Sequence, residues 1–240
     1  MSGDLLDVLT ANDYPVTKEV THPDGQTADI PVAPFQYVNS HDHSHLVAFT
    51  TPPPASTAYT PLADRSRWYA VQPFIVALYT AEGVPMLWQG QEISDNWILA
   101  TDNDSLPESM RGDLRIHIRR EMHWEHFYDD EGAPLVRLHR VLGRLRADTP
   151  ALRSRSSRSY GDESRPHAGL LAYGRGAGDD MALVILNFSE NGQQITLPAP
   201  AAGVYVERID AQLRLPAPAV GDPLQIDVSS HYGYVFTRTP

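Results

Sequence analysis

Apolar positions recur at two different periods along this chain, and the change between them divides it. From Val71 to Ala81, the residues Val71, Phe74, Ile75 and Leu78 follow the i, i+3, i+4, i+7 spacing of one helix face and predict a helix over about 66–80. Pro73 falls in its first turns, where a missing N–H is tolerated. A second helix is predicted from Pro134, with Leu135, Leu138, Val141, Leu142 and Leu145 on one face and Arg137, Arg140 and Arg144 on the other. Each is tied to a short strand-like run. Residues 35–40, with Phe35, Tyr37 and Val38, precede the first helix and end abruptly on His41 and Asp42. Residues 84–88 follow it, after a stop at Gly83, and end on Gln89-Gly-Gln-Glu92. Strand, helix and strand make one βαβ unit. Parallel strands carry function at their C-terminal ends, so His41 and Asp42 stand where a barrel enzyme places catalytic groups.

Beyond Pro150 the period shortens to two. Residues 169–173, 182–187, 194–197, 204–208, 224–228 and 232–237 are short apolar runs separated by Gly, Pro, Asp and Asn, the pattern of a β-sandwich. The domain boundary is expected between about 150 and 160. Three other stretches read as loops. Residues 15–34 hold Pro15, Pro23, Gly25, Pro31 and Pro34; Thr51-Pro-Pro-Pro54 forbids a helix; and residues 90–132 are long, polar and weakly periodic, as an active-site excursion would be.

The strand ends carry a resemblance. Tyr37-Val-Asn-Ser-His-Asp42 resembles the fourth conserved region of the α-amylase family, glycoside hydrolase family 13. Gly83-Val-Pro-Met-Leu-Trp-Gln-Gly-Gln-Glu92 is similar to the segment that forms the eighth barrel strand there, and Trp124-Glu125 with Leu138 to Arg153 resembles the region of the last barrel helix. The similarity keeps this order along nearly the whole chain but matches only the C-terminal part of such an enzyme. It implies an α/β fold in two parts. Residues 1–152 would be the last two βα units of a (β/α)₈ barrel, a partial TIM barrel, and residues 153–240 an all-β C-terminal sandwich domain. The family pattern usually reads Asn-His-Asp, and Ser40 stands at that Asn.

The resemblance also implies chemistry. The family is retaining, a mechanism needing a nucleophile and an acid/base carboxyl about 5–5.5 Å apart. By resemblance those two groups sit on the fourth and fifth barrel strands, and no Gly-x-Arg-x-Asp motif or second strand-ending Glu occurs upstream of residue 35. What the chain retains is the third acid, Asp42, which would hydrogen-bond the sugar at the cleavage subsite and stabilise an oxocarbenium-like transition state. His41 would bind the same sugar, and Trp97, in the long loop, is the best candidate for stacking on a ring. The expectation is therefore an α-glucan ligand, no glycosidase activity from this chain alone, and pairing with the missing barrel half or self-association. The alternative is a non-catalytic carbohydrate-binding or interaction module. An independent pair of Asp42 with Glu92 is geometrically conceivable, but by resemblance Glu92 belongs to the barrel rim.

Composition narrows the rest. Hydrophobic residues make up 42% and charged residues 20% of 240, as in a globular protein, and the formal net charge of −11 argues against nucleic-acid or anionic-membrane partners. There is no Cys, no leader-like segment at Met1–Asp7 and no apolar run long enough to span a bilayer, so a cytoplasmic location is expected. No cofactor is implied and no metal site is assigned. His41, His43 and His45 alternate and would share one face of an extended chain, but alternation breaks at a strand end. Asp102-Asn-Asp104-Ser105 lacks the Gly and Glu of a calcium loop, and Asp129-Asp-Glu131-Gly132 reads as a turn.

Overall fold

A computed structural model describes residues 17–31, 35–41, 43–50, 62–98, 121–164 and 166–239. The chain opens on a hairpin, β1 (Thr17–Thr21) and β2 (Thr27–Pro31), paired antiparallel. This corrects the irregular loop expected over 15–34. Pro23 and Gly25 fall in the turn and Pro31 ends β2, where they interrupt no ladder. Gly25, at φ +83°, closes that turn while Asp24 accepts a hydrogen bond from the Gln26 amide.

β3 (Phe35–Gln36) and β4 (Val84–Pro85) then pair in parallel, Phe35 opposite Val84 and Gln36 opposite Pro85. Both are shorter than the runs that predicted them. Helix α1 (Gln72–Thr80) joins them, entered through a 3₁₀ turn at Trp68–Val71, with Pro73 in its first turn. From Ile75 to Thr80 every residue of α1 is buried, so the helix is enclosed rather than amphipathic. Helix α2 (Gly132–Asp148) packs beside it and buries Leu135, Leu138, Leu142 and Leu145 while Arg137, Arg140 and Arg144 stay exposed.

The remaining strands are β5 (Ser157–Ser159), β6 (Leu170–Ala177), β7 (Asp180–Asn187), β8 (Gln193–Pro198), β9 (Gly203–Glu207), β10 (Arg214–Ala217), β11 (Pro223–Val228) and β12 (Tyr232–Thr239), with a single helical turn, α3 (Gly161–Ser164), after β5. Six of them form one antiparallel sheet in the order β10-β9-β12-β7-β6-β5, and β8 and β11 form a second. All six expected strands are present; β5 and β10 are additional. Their sequences, Ser157-Arg-Ser159 and Arg214-Leu-Pro-Ala217, lack an apolar run because both are sheet edges.

The large sheet is covered on both faces, and its strands divide their residues between two cores by simple alternation. Leu171, Tyr173, Ala182, Val184, Leu186 and Val235 join one core with the buried residues of α1 and α2, α1 lying against β7 and β12. Leu170, Ala172, Leu183, Ile185 and Phe236 meet Ile195, Leu197, Leu224, Ile226 and Val228 of the smaller sheet. Gly233 of β12 lets α1 approach closely: a Cβ there would lie 3.1 Å from the Val76 Cβ. Two polar links cross from α1 to the sheet. Thr80 Oγ1 meets the Tyr173 hydroxyl at 2.5 Å, and Glu82 pairs with Arg175 at 3.0 Å with both side chains sealed from water. Arg146, near the end of α2, donates to the carbonyls of Tyr79, Ala81, Gly83 and Leu152, so one guanidinium satisfies the chain leaving α1 and the turn after α2. Among the described residues, no helix is long and apolar enough to cross a membrane.

Candidate functional site

Two groups of polar and aromatic side chains gather beyond the C-terminal ends of β3 and β4. The first is built by the parallel pairing itself. His41 lies five residues past β3 and Trp88 three past β4, and their rings meet at 5.8 Å, tilted by 49°. His41 is exposed; Asn39 and Ser40 beneath it are buried. Ser40 Oγ lies 2.9 Å from Nδ1 of His43. Asp42 lies outside the described residues, as do Asp102 and Asp104. His45 is buried while His41 and His43 are exposed, so the three histidines do not share a face.

Trp88 also lines a cleft of about 400 Å³ with Leu87, Glu92, Phe127, His139 and Arg140. Its floor is His139 on α2, whose Nδ1 meets the Tyr79 hydroxyl at 3.1 Å and whose Nε2 is buried without a hydrogen-bond partner. Burial pushes His139 down to about 4, so it is a neutral imidazole near pH 7, and the same burial, helped by the negative charge of Glu92, pushes Tyr79 up to about 12.

The second group forms where the chain doubles back after β4. Gly90 at φ +84° and Ser94 at φ +56° bracket a 3₁₀ turn, Gln91–Ile93, and the Asp95 amide returns to the Gly90 carbonyl at 2.9 Å. Only glycine fits at 90: a Cβ there would stand 2.6 Å from the Cβ of Asp95. Arg65 clamps this loop. It donates to the carbonyls of Ser94 and Ile93 and makes a forked bond to Asp129, at 2.5 and 3.0 Å. Asp129 also accepts from the Gly132 amide at 2.7 Å, so the acidic stretch is a turn, as expected, that leads into α2 and anchors it to the loop. Burial would raise the Asp129 carboxyl, but Arg65 and the Gly132 amide outweigh it and hold the group below the usual carboxylate range.

Asp95 is thereby fixed with its side chain 1% exposed, and Oδ1 accepts from the Asn96 amide and from Nδ1 of His123 at 2.7 Å. Trp97 stacks on His123, centroids 5.1 Å apart and 21° from parallel, with its indole N–H bonded to the Glu121 carbonyl at 2.8 Å. His123 in turn faces His126 at 4.9 Å across a single 3₁₀ turn, Trp124–Phe127. Nδ1 of His126 is buried and has no hydrogen-bond partner. Burial, with the positive charge of Arg65, holds His126 below the usual histidine range. Asp95, His123 and His126 each offer one donor atom within 4.8 Å of the others, and among the described residues no other such group of three occurs. Of this cluster only Trp97 stands out in the sequence. The available signal was His123-x-x-His126, which places two imidazoles on one side of a helical turn; Asp95 is joined to them only by the fold.

Neither a protein-family model nor a curated protein matches the sequence. Solved structures do match in fold. An Anoxybacillus α-amylase superposes with a TM-score of 0.56 at 19% identity, over 86% of this chain and 38% of that one. AmyP in complex with maltose gives a TM-score of 0.58 at 14% identity, over 87% of this chain and 42% of its own. A pullulanase from Anoxybacillus sp. LM18-11, complexed with maltotriose, gives 0.54 at 16%, over 85% and 27%. The chain thus has the fold of part of these enzymes and spans less than half the length of each.

Proposed function

We propose that these 240 residues are a C-terminal portion of an α-amylase-family glycoside hydrolase or transglycosidase acting on α-glucosidic bonds: residues 1–152 part of its catalytic barrel, residues 153–240 its C-terminal β-sandwich domain. The observation that carries this reading is the parallel β3–α1–β4 unit with His41 and Trp88 meeting beyond both strand ends. That is where the motif Tyr37-Val-Asn-Ser-His-Asp42 requires a sugar pocket. The solved proteins of like fold, two of them holding maltose or maltotriose, support the same ligand class.

In this reading His41 hydrogen-bonds a glucosyl hydroxyl, Trp88 closes the pocket beside it, and Asp42 stabilises positive charge developing at the anomeric carbon. The attacking and proton-donating carboxyls are supplied by polypeptide outside these residues. Among the described residues, β3 and β4 are paired only with each other, and Phe35, Tyr37, Val84 and Leu87 around them are exposed. A two-stranded sheet with exposed apolar side chains fits further barrel strands from a longer chain, a partner or a second copy. Trp97 is the weaker sugar candidate, because one ring face is covered by His123 and its N–H is taken.

The test is a reducing-end assay on maltooligosaccharides with acarbose titration alongside. The chain alone is expected to release no product and to bind acarbose weakly, with binding lost in His41→Ala. Turnover that disappears in Asp42→Asn overturns the division of catalytic groups. Sugar binding that survives His41→Ala but disappears in Trp97→Ala favours a non-catalytic binding module.

A further inference from the structure

We propose that Asp95, His123 and His126 form a binding site for one divalent transition-metal ion of the zinc class. Zinc and its neighbours take imidazole nitrogen and carboxylate oxygen, and sites with three protein ligands keep a fourth position for water or a ligand. Two of the three donors here are imidazoles, which disfavours calcium and magnesium.

Three observations support the site. The first is its geometry: the three donor atoms lie within 4.8 Å of one another, whereas tetrahedral bonds of about 2.0–2.1 Å place ligands about 3.3–3.4 Å apart. Small rotations of the two partly exposed imidazoles close that gap, while Asp95, held from below, stays in place. The second is the buried Nδ1 of His126, which lacks any hydrogen bond although polar groups in such positions are ordinarily satisfied. The third is the support beneath the cluster. Gly90, Ser94 and the Arg65–Asp129 fork hold Asp95 in position, and Trp97 covers one face of His123. Arg65 is the nearby opposing charge, and its forked bond to Asp129 compensates it. Metal binding replaces the hydrogen bond between His123 and Asp95, and the neutral imidazole then carries its single proton on Nε2, so Nδ1 is free to bind the ion and no net proton is lost from the ring.

This site includes neither His41 nor Asp42 and does not depend on the glycosidase reading. The test uses the untagged chain after chelator treatment, titrated with ZnCl₂ by calorimetry and with CoCl₂ by visible absorption. One ion per chain is expected, at about 10 µM affinity or tighter, with an intense tetrahedral-type cobalt band and no binding of MgCl₂ or CaCl₂. His126→Ala should weaken zinc by about 100-fold or more with the circular dichroism unchanged. Should the alanine variant lose its fold, His126→Gln, which keeps the volume, replaces it. His41→Ala/His43→Ala should leave the affinity unchanged. Substoichiometric or absent binding, an unchanged affinity in the His126 variant, or loss of binding only in the His41/His43 variant overturns the site.

Discussion

Replacing Arg175 by Met tests what joins the helices to the large sheet. Arg175 on β6 and Glu82 just after α1 sit 3.0 Å apart, 0% and 1% exposed. Neither Glu82 oxygen has a hydrogen-bond partner, and of the Arg175 nitrogens only Nη2 bonds, to the Ser154 carbonyl. Removing the cation therefore leaves a carboxylate in a dry core with nothing to compensate it, a loss of about 3–5 kcal/mol. That is a large share of the roughly 5–15 kcal/mol that holds a domain together. Replacing both partners by apolar residues, Glu82→Leu with Arg175→Met, removes the orphaned charge. It should recover all but about 1 kcal/mol, the remainder being the lost bond to Ser154. The assay is urea unfolding followed by far-ultraviolet circular dichroism for the parent, both single variants and the double variant. An Arg175→Met cost under about 1 kcal/mol, or a double variant as unstable as the sum of the singles, would refute the reasoning.

Other predictions concern acid stability and the junction beneath the metal cluster. His139 is lowered from 6.5 to about 4 in the folded chain, so the unfolded chain takes up its proton first as pH falls. Stability from its neutral form is complete above 6.5 and should fall by about 3 kcal/mol down to pH 4. His139→Phe should flatten that slope in unfolding measured across this range. Arg146→Met leaves the carbonyls of Tyr79, Ala81, Gly83 and Leu152 without their donor and should cost about 3 kcal/mol or more by urea titration. A Cβ at Gly132 would stand 1.8 Å from the His126 carbonyl oxygen and 2.7 Å from that of Ile93. Gly132→Ala should therefore cost at least about 2 kcal/mol and expose the amides of residues 121–131 to hydrogen exchange.

Much of the architecture is legible in the residues because it rests on local periodicity. The 3.6-residue spacing of Leu135, Leu138, Leu142 and Leu145 marks α2, and the alternation of Leu224, Ile226 and Val228 marks β11 and its buried face. The hairpin at 17–31 escapes this reading because both strands are almost wholly exposed and carry no apolar stripe. β3 and β4 are shorter than their apolar runs suggest, since a strand extends only as far as it has a partner. Phe35 and Val84 are apolar and exposed at that pair.

The sequence by itself determined both long helices, six strands of the C-terminal half and the two residue periods, and it proposed His41 and Asp42 as a sugar-contact pair, because these readings depend on near neighbours along the chain. Only the tertiary structure decided which polar groups meet. Asp95, His123 and His126 come from two separate segments, and Glu82 finds Arg175 across 93 positions of sequence. No periodicity records such a meeting. It follows from chain reversal at Gly90 and Ser94 and from the packing of α1 on β6, β7 and β12, which burial of apolar surface drives without regard to separation along the chain.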